Sequence, residues 1–279
     1  MHTITVSNLN ATGAGSLRQA ITDANAYTGT DDIQIVFDAA LAGQSIAPGV
    51  ALTIPANTTI TMPEGMVWDM KGKKLTIKGK LVANYATTAD VLMSTSTSAD
   101  IEIADGGCLD LSNANINLSK NYCNVFVKAG GVLKMNGGKL HAYAGTEGAS
   151  GSAISLTGVE VTGTVVASGA LTSQNCTYNN NVTLGESATL SGNTFAGYLK
   201  VFGSTQVTAS GNKFTGQETL RLADYVGDTA VALAYVTSSS AADAYVGVYG
   251  KWGDGVMAAT PASLSGGYKQ VGDMSVTAG

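Results

Sequence analysis

The chain has 279 residues, of which 44% are hydrophobic and 13% charged, and its formal net charge is −5 at pH 7. This length and apolar content suffice for a large core without disulfides or metals. The 35 glycines and the low charged fraction favour short strands joined by polar turns over helices. Arg18 and Arg221 are the only arginines, so the chain lacks a cationic surface for a phosphate backbone, and a nucleic-acid partner is not expected.

No run approaches the length of apolar sequence that crosses a membrane, so we expect no membrane insertion in this segment. The start of the chain also lacks the basic residues and apolar stretch of a signal peptide. The protein is therefore either cytoplasmic or the mature or excised part of an exported precursor. A strand-like run directly after Met1 favours a segment excised from a longer chain.

The three cysteines, Cys108, Cys123 and Cys176, fit neither a metal site of the CxxC type nor an even-numbered disulfide framework. We expect each to be a small buried apolar residue, with a disulfide between Cys108 and Cys123 as the alternative. His141 alternates with apolar residues and is predicted to face outward from a strand. No cofactor and no metal site is predicted.

Residues 1–45 are predicted to form an N-terminal cap made of a strand, an amphipathic helix over 16–26 and a second strand. Ser16 begins the helix, because apolar residues follow at helical spacing and Gln19 stands three positions later, as in a capping box. Gly29 ends it. A stack of coils needs a cover of this kind, since its terminal coil otherwise exposes core and strand edges.

A repeat dominates the sequence that follows. Shifting residues 101–118 forward by 24 positions matches every apolar position: Ile101 with Val125, Ile103 with Val127, Leu109 with Leu133, Leu111 with Met135, Ile116 with Leu140, and Leu118 with Ala142. A backward shift of 41 positions, read as two coils or as one coil with a loop, places these residues on the same template: Ile60, Met62, Trp68, Met70, Leu75 and Ile77. Each repeat holds three apolar pairs at i, i+2, which indicates three strands with one buried face each.

Three strands per repeat make one triangular turn, and stacked turns pair in parallel. The sequence therefore predicts an all-β fold, a single-stranded right-handed parallel β-helix of the pectin-lyase-like solenoid type, with an N-terminal capping helix. Its coils are predicted over 46–216, and irregular terminal coils or a C-terminal cap of the same domain over 217–279. The alternate residues should face solvent: Lys74, Thr76, Lys78, Glu102, Asp110, Asn117, Lys134 and Lys139.

A second signature recurs at spacings of 18 and 19 in residues 173–177, 191–195 and 210–214, each beginning with Ser-x-Asn. We expect its asparagines to adopt the left-handed backbone of a sharp corner and to hydrogen-bond from coil to coil. Phe195 and Phe214 should stack inside. Chance similarity within low-complexity sequence is the alternative interpretation.

Five tyrosines and one tryptophan lie between residues 225 and 268. Packing of a C-terminal cap is one interpretation, because aromatic rings bury a large area per residue. A sugar-stacking platform formed by Tyr245, Tyr249 and Trp252 is a second, and an interface to a following domain is a third.

The residues from Thr5 to Ile21, Thr-Val-Ser-Asn-Leu-Asn-Ala-Thr-Gly-Ala-Gly-Ser-Leu-Arg-Gln-Ala-Ile, closely resemble a module that begins many large bacterial surface proteins. These are right-handed β-helix proteins related to polymorphic outer-membrane proteins and adhesin-like autotransporter passengers. The resemblance covers residues 3–38 and implies an extracellular or cell-surface location with a stalk or adhesive role. It carries no catalytic residue. Arg18 opposes the helix macrodipole, so we predict that it pairs with Asp32 or Asp38.

Parallel β-helices also include lyases and hydrolases that act on polysaccharides. A lyase needs a base beside carboxylates, for which the set Arg221, Glu218 and Asp224 is the best candidate. A hydrolase needs paired carboxylates, whereas these acids stand singly on different coils: Glu102, Asp105, Asp110, Glu160 and Glu186. We therefore expect a non-catalytic module of a longer adhesin-like chain, with a polar face for a polysaccharide or a host surface protein. A polysaccharide-acting enzyme is the alternative.

Overall fold

The computed structural model describes residues 1–96, 99–118, 124–146, 151–197, 199–201, 206–214, 220–222, 224–226, 229–231, 235–239, 243–247 and 275–278. Beyond Leu199 this description is of the backbone, apart from the side chain of Asn212. The protein is mostly β, with parallel strands in a solenoid-like arrangement. It divides into two compact units, Met1–Gly145 and Thr146–Gly279.

Unit 1 contains the N-terminal helix and most of the long strands. Its elements are β1 (His2–Val6), α1 (Leu17–Ala26), β2 (Ile33–Phe37), a 3-10 turn (Ala39–Leu41), β3 (Ser45–Ile46), β4 (Leu52–Ile54), β5 (Thr58–Met62), β6 (Val67–Asp69), β7 (Leu75–Ile77), β8 (Lys80–Met93), β9 (Ile101–Ile103), β10 (Cys108–Asn117), β11 (Asn124–Val127), β12 (Val132–Asn136), β13 (Lys139–His141) and β14 (Tyr143–Thr146).

The strands of unit 1 form three parallel ladders, each holding one strand from each turn of the chain. The first ladder joins β1, β2, β5, β8, β10 and β12 in that order. The second joins β3 and β6 to the later halves of β8 and β10, and then to β13. The third joins β4, β7, β9 and β11. Every strand pair in these ladders is parallel, which confirms the predicted parallel pairing.

Aliphatic side chains lie one above another inside each ladder. In the third ladder Leu52, Leu75, Ile101 and Val125 are in register, and all four are buried. Full burial of one such side chain contributes about 1.5–3 kcal/mol. The shift of 24 residues is thus confirmed for the pairs from Ile101 with Val125 to Ile116 with Leu140.

The backward shift of 41 residues is wrong. Ile60 pairs with Leu81, which pairs with Leu109, so Ile60 belongs to the first ladder and not to the ladder of Ile101. Leu75 is the residue that lies beside Ile101. Successive turns here have different lengths, because β8 and β10 run through a corner without interruption and contain register shifts near Asn113. A fixed period therefore fails across this region.

The N-terminal helix forms where it is predicted. Ser16 is its N-cap, and the Ser16 hydroxyl accepts a hydrogen bond from the Gln19 backbone N–H at 3.2 Å. The Gln19 side chain donates to Asp23 and does not return to Ser16, so only half of the capping box forms. The helix buries a set of apolar residues at helical spacing: Leu17, Ala20, Ile21 and Ala24.

The ion pair predicted for Arg18 is wrong. Arg18 is exposed, and within the described residues it forms no ion pair with Asp32 or Asp38. The Asp38 carboxylate instead accepts from the Ala40 backbone N–H at 3.0 Å and caps the short 3-10 turn. A local backbone N–H is a better partner for Asp38 than the Arg18 side chain. Holding a long arginine side chain in one geometry costs rotamer entropy, whereas the backbone N–H is already fixed in place.

Unit 2 repeats the arrangement with shorter strands. Its elements are β15 (Ala153–Thr157), β16 (Glu160–Val161), β17 (Val165–Ala167), β18 (Ala170–Gln174), β19 (Thr177–Tyr178), β20 (Val182–Leu184), β21 (Ser187–Ser191), β22 (Thr194–Phe195), β23 (Leu199–Val201), β24 (Gln206–Phe214), β25 (Leu220–Leu222), β26 (Asp224–Val226), β27 (Thr229–Val231), β28 (Tyr235–Ser239), β29 (Asp243–Gly247) and β30 (Ser275–Ala278). Two antiparallel pairs, β26 with β27 and β28 with β29, follow the parallel ladders, and the last strand, β30, pairs in parallel with β24.

Three parallel ladders run through the earlier part of unit 2. They consist of β15, β18, β21 and β24; of β16, β19, β22 and the end of β24; and of β17, β20, β23 and β25. Ile154, Leu171 and Ala188 are in register and buried, so the turn here is 17 residues long. Tyr178 and Phe195 stack with ring centroids 4.8 Å apart and are fully buried.

Buried asparagines connect successive turns of unit 2. The Asn212 Oδ1 atom accepts from the backbone N–H and from the side-chain amide of Asn193, at 2.9 and 3.0 Å. The Asn193 Oδ1 atom in turn accepts from the Cys176 backbone N–H at 2.9 Å. The predicted hydrogen bonding between asparagines of successive coils is therefore confirmed for this pair.

The first copy of the Ser-x-Asn signature is displaced by one residue. Ser191 pairs with Gln174 rather than with Ser173, so Cys176 occupies the position of Asn193 in the preceding turn. Asn175 adopts the left-handed backbone predicted for a corner, with φ of 54°, but in the second copy that prediction is wrong, because Gly192 and not Asn193 has the positive φ, 64°. The second and third copies keep the predicted register, since Ser191 pairs with Ser210 and Phe195 with Phe214.

Candidate functional site

Two residues of the predicted alternative lyase site, Arg221 and Asp224, lie in described strands of unit 2. Arg221 is in β25, in parallel register with Lys200, and Asp224 begins β26. Glu218 lies outside the described residues. The described backbone places Arg221 and Asp224 in different sheets and gives no side-chain geometry for either, so this site stays a prediction.

The predicted sugar platform lies largely outside the described residues. Tyr245 is in β29, opposite Thr237 of β28 in an antiparallel pair. Tyr249 and Trp252 lie outside the described part of the chain. This platform also stays a prediction.

Cysteine positions differ in part from the expectation. Cys176 is buried, as predicted, and Cys108 is a half-buried free thiol at an outward position of β10. Cys108 therefore does not form the alternative disulfide with Cys123. Cys123 itself lies outside the described residues. Burial, reinforced by the Asp110 carboxylate, raises the pKa of the Cys108 thiol.

Carboxylates of unit 1 connect one turn to the next. The buried Asp69 carboxylate accepts from the hydroxyl and backbone N–H of Thr95, at 2.7 and 3.0 Å, and from the Lys71 N–H at 3.0 Å. Burial alone would raise the pKa of Asp69, but the hydrogen bonds from Thr95 and Lys71 outweigh it and hold the pKa below its usual value. Asp90 likewise accepts from the Asn115 and Asn117 amides at 2.9 and 3.0 Å.

Two of the five acids predicted to stand singly on outward faces form ion pairs with lysines on neighbouring turns. Glu102 pairs with Lys74 at 2.7 Å, and Asp110 pairs with Lys80 at 2.9 Å. The Lys80 ion pair also raises the pKa of its ammonium group. Sequence reasoning missed these contacts, although an acid and a lysine on adjacent turns are a detectable signal once the register is known. Among the described residues, no group of three His, Cys, Asp or Glu side chains could hold a metal ion.

A groove of about 450 Å³ opens at one corner of unit 1. Its lining combines polar and apolar residues: Met1, Asp32, Ile33, Gln34, Ala56, Asn57, Thr58, Thr59, Gly79, Lys80, Gly106 and Cys108. Its volume is within the range of small-molecule sites. Its one thiol has a raised pKa and its lysine is held by Asp110, so neither group is activated as a nucleophile.

The outward side of the third ladder of unit 1 carries a different set of groups, which we call the aromatic face. It is formed by the outward row Thr53, Thr76, Glu102 and Phe126, together with Lys74, Lys78, Lys128 and Tyr143. The rings of Phe126 and Tyr143 lie 6.2 Å apart at 59° to each other. The Lys128 ammonium lies 5.6 Å from the Phe126 ring centroid.

The aromatic face arises directly from strand alternation. Phe126 lies between the buried residues Val125 and Val127, so its side chain points away from the interior. The 24-residue template already assigns this outward direction, because Phe126 is in register with Glu102. Tyr143 could not be found in the same way, since it begins β14 and lies outside the residues matched by the template.

Comparison with known proteins gives no family. No protein-family model, no curated protein and no solved structure matches this chain. Within the described residues, no helix is long and apolar enough to cross a membrane.

Proposed function

We propose that this chain is a non-catalytic module of a larger extracellular or cell-surface protein, related in design to adhesin-like passengers. It is built as a single-stranded right-handed parallel β-helix of the pectin-lyase-like type. Its coils present outward polar faces to a glycan or a host surface protein.

The observation that carries the proposal is that the two sides of each strand hold different kinds of side chain, apolar on the inward side and polar on the outward side. Inward positions hold continuous buried ladders, such as Leu81, Leu109 and Leu133. Outward positions hold polar side chains whose charges link neighbouring turns, such as Lys80 with Asp110. A scaffold of this kind displays an extended surface, and its acids are used for cohesion between turns rather than gathered for acid–base chemistry.

The proposal is tested by applying the purified protein to a glycan array and by incubating it with polyuronide solutions. We expect binding of a glycan class without turnover. Ultraviolet-absorbing unsaturated products from a polyuronide would contradict the non-catalytic part and favour the lyase alternative. Failure to bind any glycan or host surface protein would contradict the display role.

Antibody labelling of the source cells tests the location. We expect intact cells to be labelled, because an exported module is accessible from outside. Labelling that requires permeabilised cells would contradict the proposal.

A further inference from the structure

The strand β1 of unit 1 has one edge that no described strand covers. It begins the first ladder and pairs with β2 in parallel register, from His2 with Ile33 to Val6 with Phe37. Among the described strands, β2 is its partner, and none pairs with its other side. Backbone groups on an unpaired edge are available to another strand.

The hydrogen bonds between β1 and β2 show which residues of β1 face its partner. The His2 N–H donates to the Asp32 carbonyl at 2.8 Å, and the Val6 carbonyl accepts from the Asp38 N–H at 2.8 Å. In a parallel pair, alternate residues direct both of their backbone groups to the same neighbour. Ile4, midway between His2 and Val6, therefore also bonds to β2.

Thr3 and Thr5 direct their backbone groups to the free edge. Among the described residues, none of these N–H and carbonyl groups has a hydrogen-bond partner. The Ser7 N–H, which points in the same direction, donates to the Gly15 carbonyl at 2.8 Å. The loop before α1 thus closes the edge beyond Val6 and leaves it open at Thr3 and Thr5.

The N-terminal helix covers apolar side chains and leaves Thr3 and Thr5 exposed. The helix packs against β1, β2 and β4. Its buried residues lie on one face: Leu17, Ala20, Ile21 and Ala24. Thr3 and Thr5 stay exposed beside it. The cap therefore protects the interior of unit 1 but not the outer backbone groups of β1.

The strand also lacks the features by which proteins protect edge strands, which are short length, lysine, proline and bulges. It has five residues, His-Thr-Ile-Thr-Val, and pairs with β2 without a register shift. Residues 1–17 contain no lysine, arginine, aspartate, glutamate or proline. By contrast, β3 and β4, which begin the other two ladders, have two and three residues. Of the strands that begin the ladders of unit 1, β1 is thus the one that another strand can extend.

The free edge of β1 is complementary to itself. When two copies of the strand lie antiparallel with Ile4 opposite Ile4, Thr3 of each copy lies opposite Thr5 of the other. Residues opposite each other in this way exchange both backbone hydrogen bonds. The two pairs of threonines therefore form four hydrogen bonds, all made by groups that have no partner in the single chain. Pairs of threonines across strands also stabilise a sheet.

We propose that two copies of this chain associate through β1, with the two strands antiparallel and centred on Ile4. The pairing joins the first ladders of both copies into one sheet, and a two-fold axis relates the copies. The edge accepts a second copy rather than an unrelated strand, because Thr3 and Thr5 match each other at this register. The inference goes beyond the proposed display function and does not depend on what the outward faces bind.

Dimer formation is tested by sedimentation of the whole, untagged chain over a series of concentrations. We expect a reversible equilibrium between monomer and dimer. Thr5→Pro should weaken it about thirtyfold, which corresponds to about 2 kcal/mol for the two lost hydrogen bonds. The proline costs no bond to β2, since the Thr5 N–H points to the free edge. Thr5→Val is the matched control, because it keeps the N–H and the β-branched shape and should leave the equilibrium nearly unchanged.

A charge-exchange experiment tests the register. The double variant Thr3→Lys, Thr5→Lys and the double variant Thr3→Glu, Thr5→Glu should each be monomeric, because like charges then lie opposite each other. An equal mixture of the two should form heterodimers, since each lysine lies opposite a glutamate. The double variant Thr59→Lys, Thr61→Lys is the control on β5, which is paired on both sides, and it should dimerise as the wild type does.

Circular dichroism and thermal melting show whether each variant is folded. If Thr5→Pro unfolds, the charge-exchange experiment alone decides. A wild type that stays monomeric at its highest soluble concentration would overturn the inference. Dimers unaffected by Thr5→Pro, or charged variants that do not combine when mixed, would also overturn it, because β1 would then not join the copies. Each of these results leaves the proposed display function intact.

Discussion

The buried Asn193 side chain offers the sharpest test of how turns are joined in unit 2. It is fully buried, and within the described residues it makes four hydrogen bonds. Asn193 Oδ1 accepts from the Ser173 hydroxyl and the Cys176 N–H, both at 2.9 Å. Its amide donates to the Ser173 carbonyl at 3.1 Å and to Asn212 Oδ1 at 3.0 Å.

Asn193→Ala should destabilise the protein by about 4–6 kcal/mol. Three of the lost bonds contribute about 1 kcal/mol each, and the buried Cys176 N–H, left without its acceptor, costs about 1–3 kcal/mol. With an m-value of about 2.5 kcal/mol/M, the urea midpoint should fall by about 1.6–2.4 M. Hydrogen exchange at the Cys176 amide should accelerate more than exchange in unit 1.

Asn179→Ala is the matched control. Asn179 is an exposed residue on the preceding turn, and its amide donates to Glu160 at 3.2 Å. Removing one exposed hydrogen bond should change stability by less than about 0.5 kcal/mol. Equal urea midpoints for the two variants would refute the assignment of Asn193 as the residue that joins the turns.

Three further predictions concern facing, acid stability and thiol reactivity. Leu109→Ala should cost about 2–5 kcal/mol in thermal unfolding and Lys134→Ser less than about 0.5 kcal/mol, whereas equal costs would contradict the facing of the first ladder. The lowered pKa of Asp69 means that its contribution to stability is present above the unfolded pKa of about 3.9 and is lost as pH falls through the folded pKa. Asp69→Asn should therefore unfold with a weaker pH dependence below about pH 4 than the wild type, and parallel acid curves would contradict this. A maleimide should label native Cys108 slowly at neutral pH and faster at alkaline pH, and buried Cys176 only after unfolding; rapid labelling of both native thiols would be inconsistent with their burial.

The sequence predicts the strands of this protein better than it predicts their register. Alternation identifies Leu109 and Leu111 as inward residues whatever the turn length, because it depends only on neighbours two positions apart. Register depends on the number of residues at each corner. Ile60 and Leu81 are 21 positions apart, while Leu81 and Leu109 are 28 apart, so one period could not align all three.

The contacts between turns were the least predictable part of the candidate site. Lys74 and Glu102 are both correctly assigned to the outward side, yet their ion pair depends on the register of β7 with β9. The same limit applies to the rings of Phe126 and Tyr143, which lie in strands from successive turns. Outward direction is a local property of the sequence, whereas partnership across turns follows only from the folded ladders.

Because successive residues of a strand face opposite sides, a substitution can change the outward surface of this protein without changing its buried ladder. Val125 and Val127 form the inward ladder, and Phe126 between them contacts Tyr143 on the outside. A change at Phe126 therefore alters the surface without opening a cavity between the two valines. If the outward row is a binding surface, substitutions along it should change ligand affinity while the unfolding midpoint stays nearly constant. Substitutions one residue away, at Val125 or Val127, should lower the midpoint first and reduce binding only as the ladder opens.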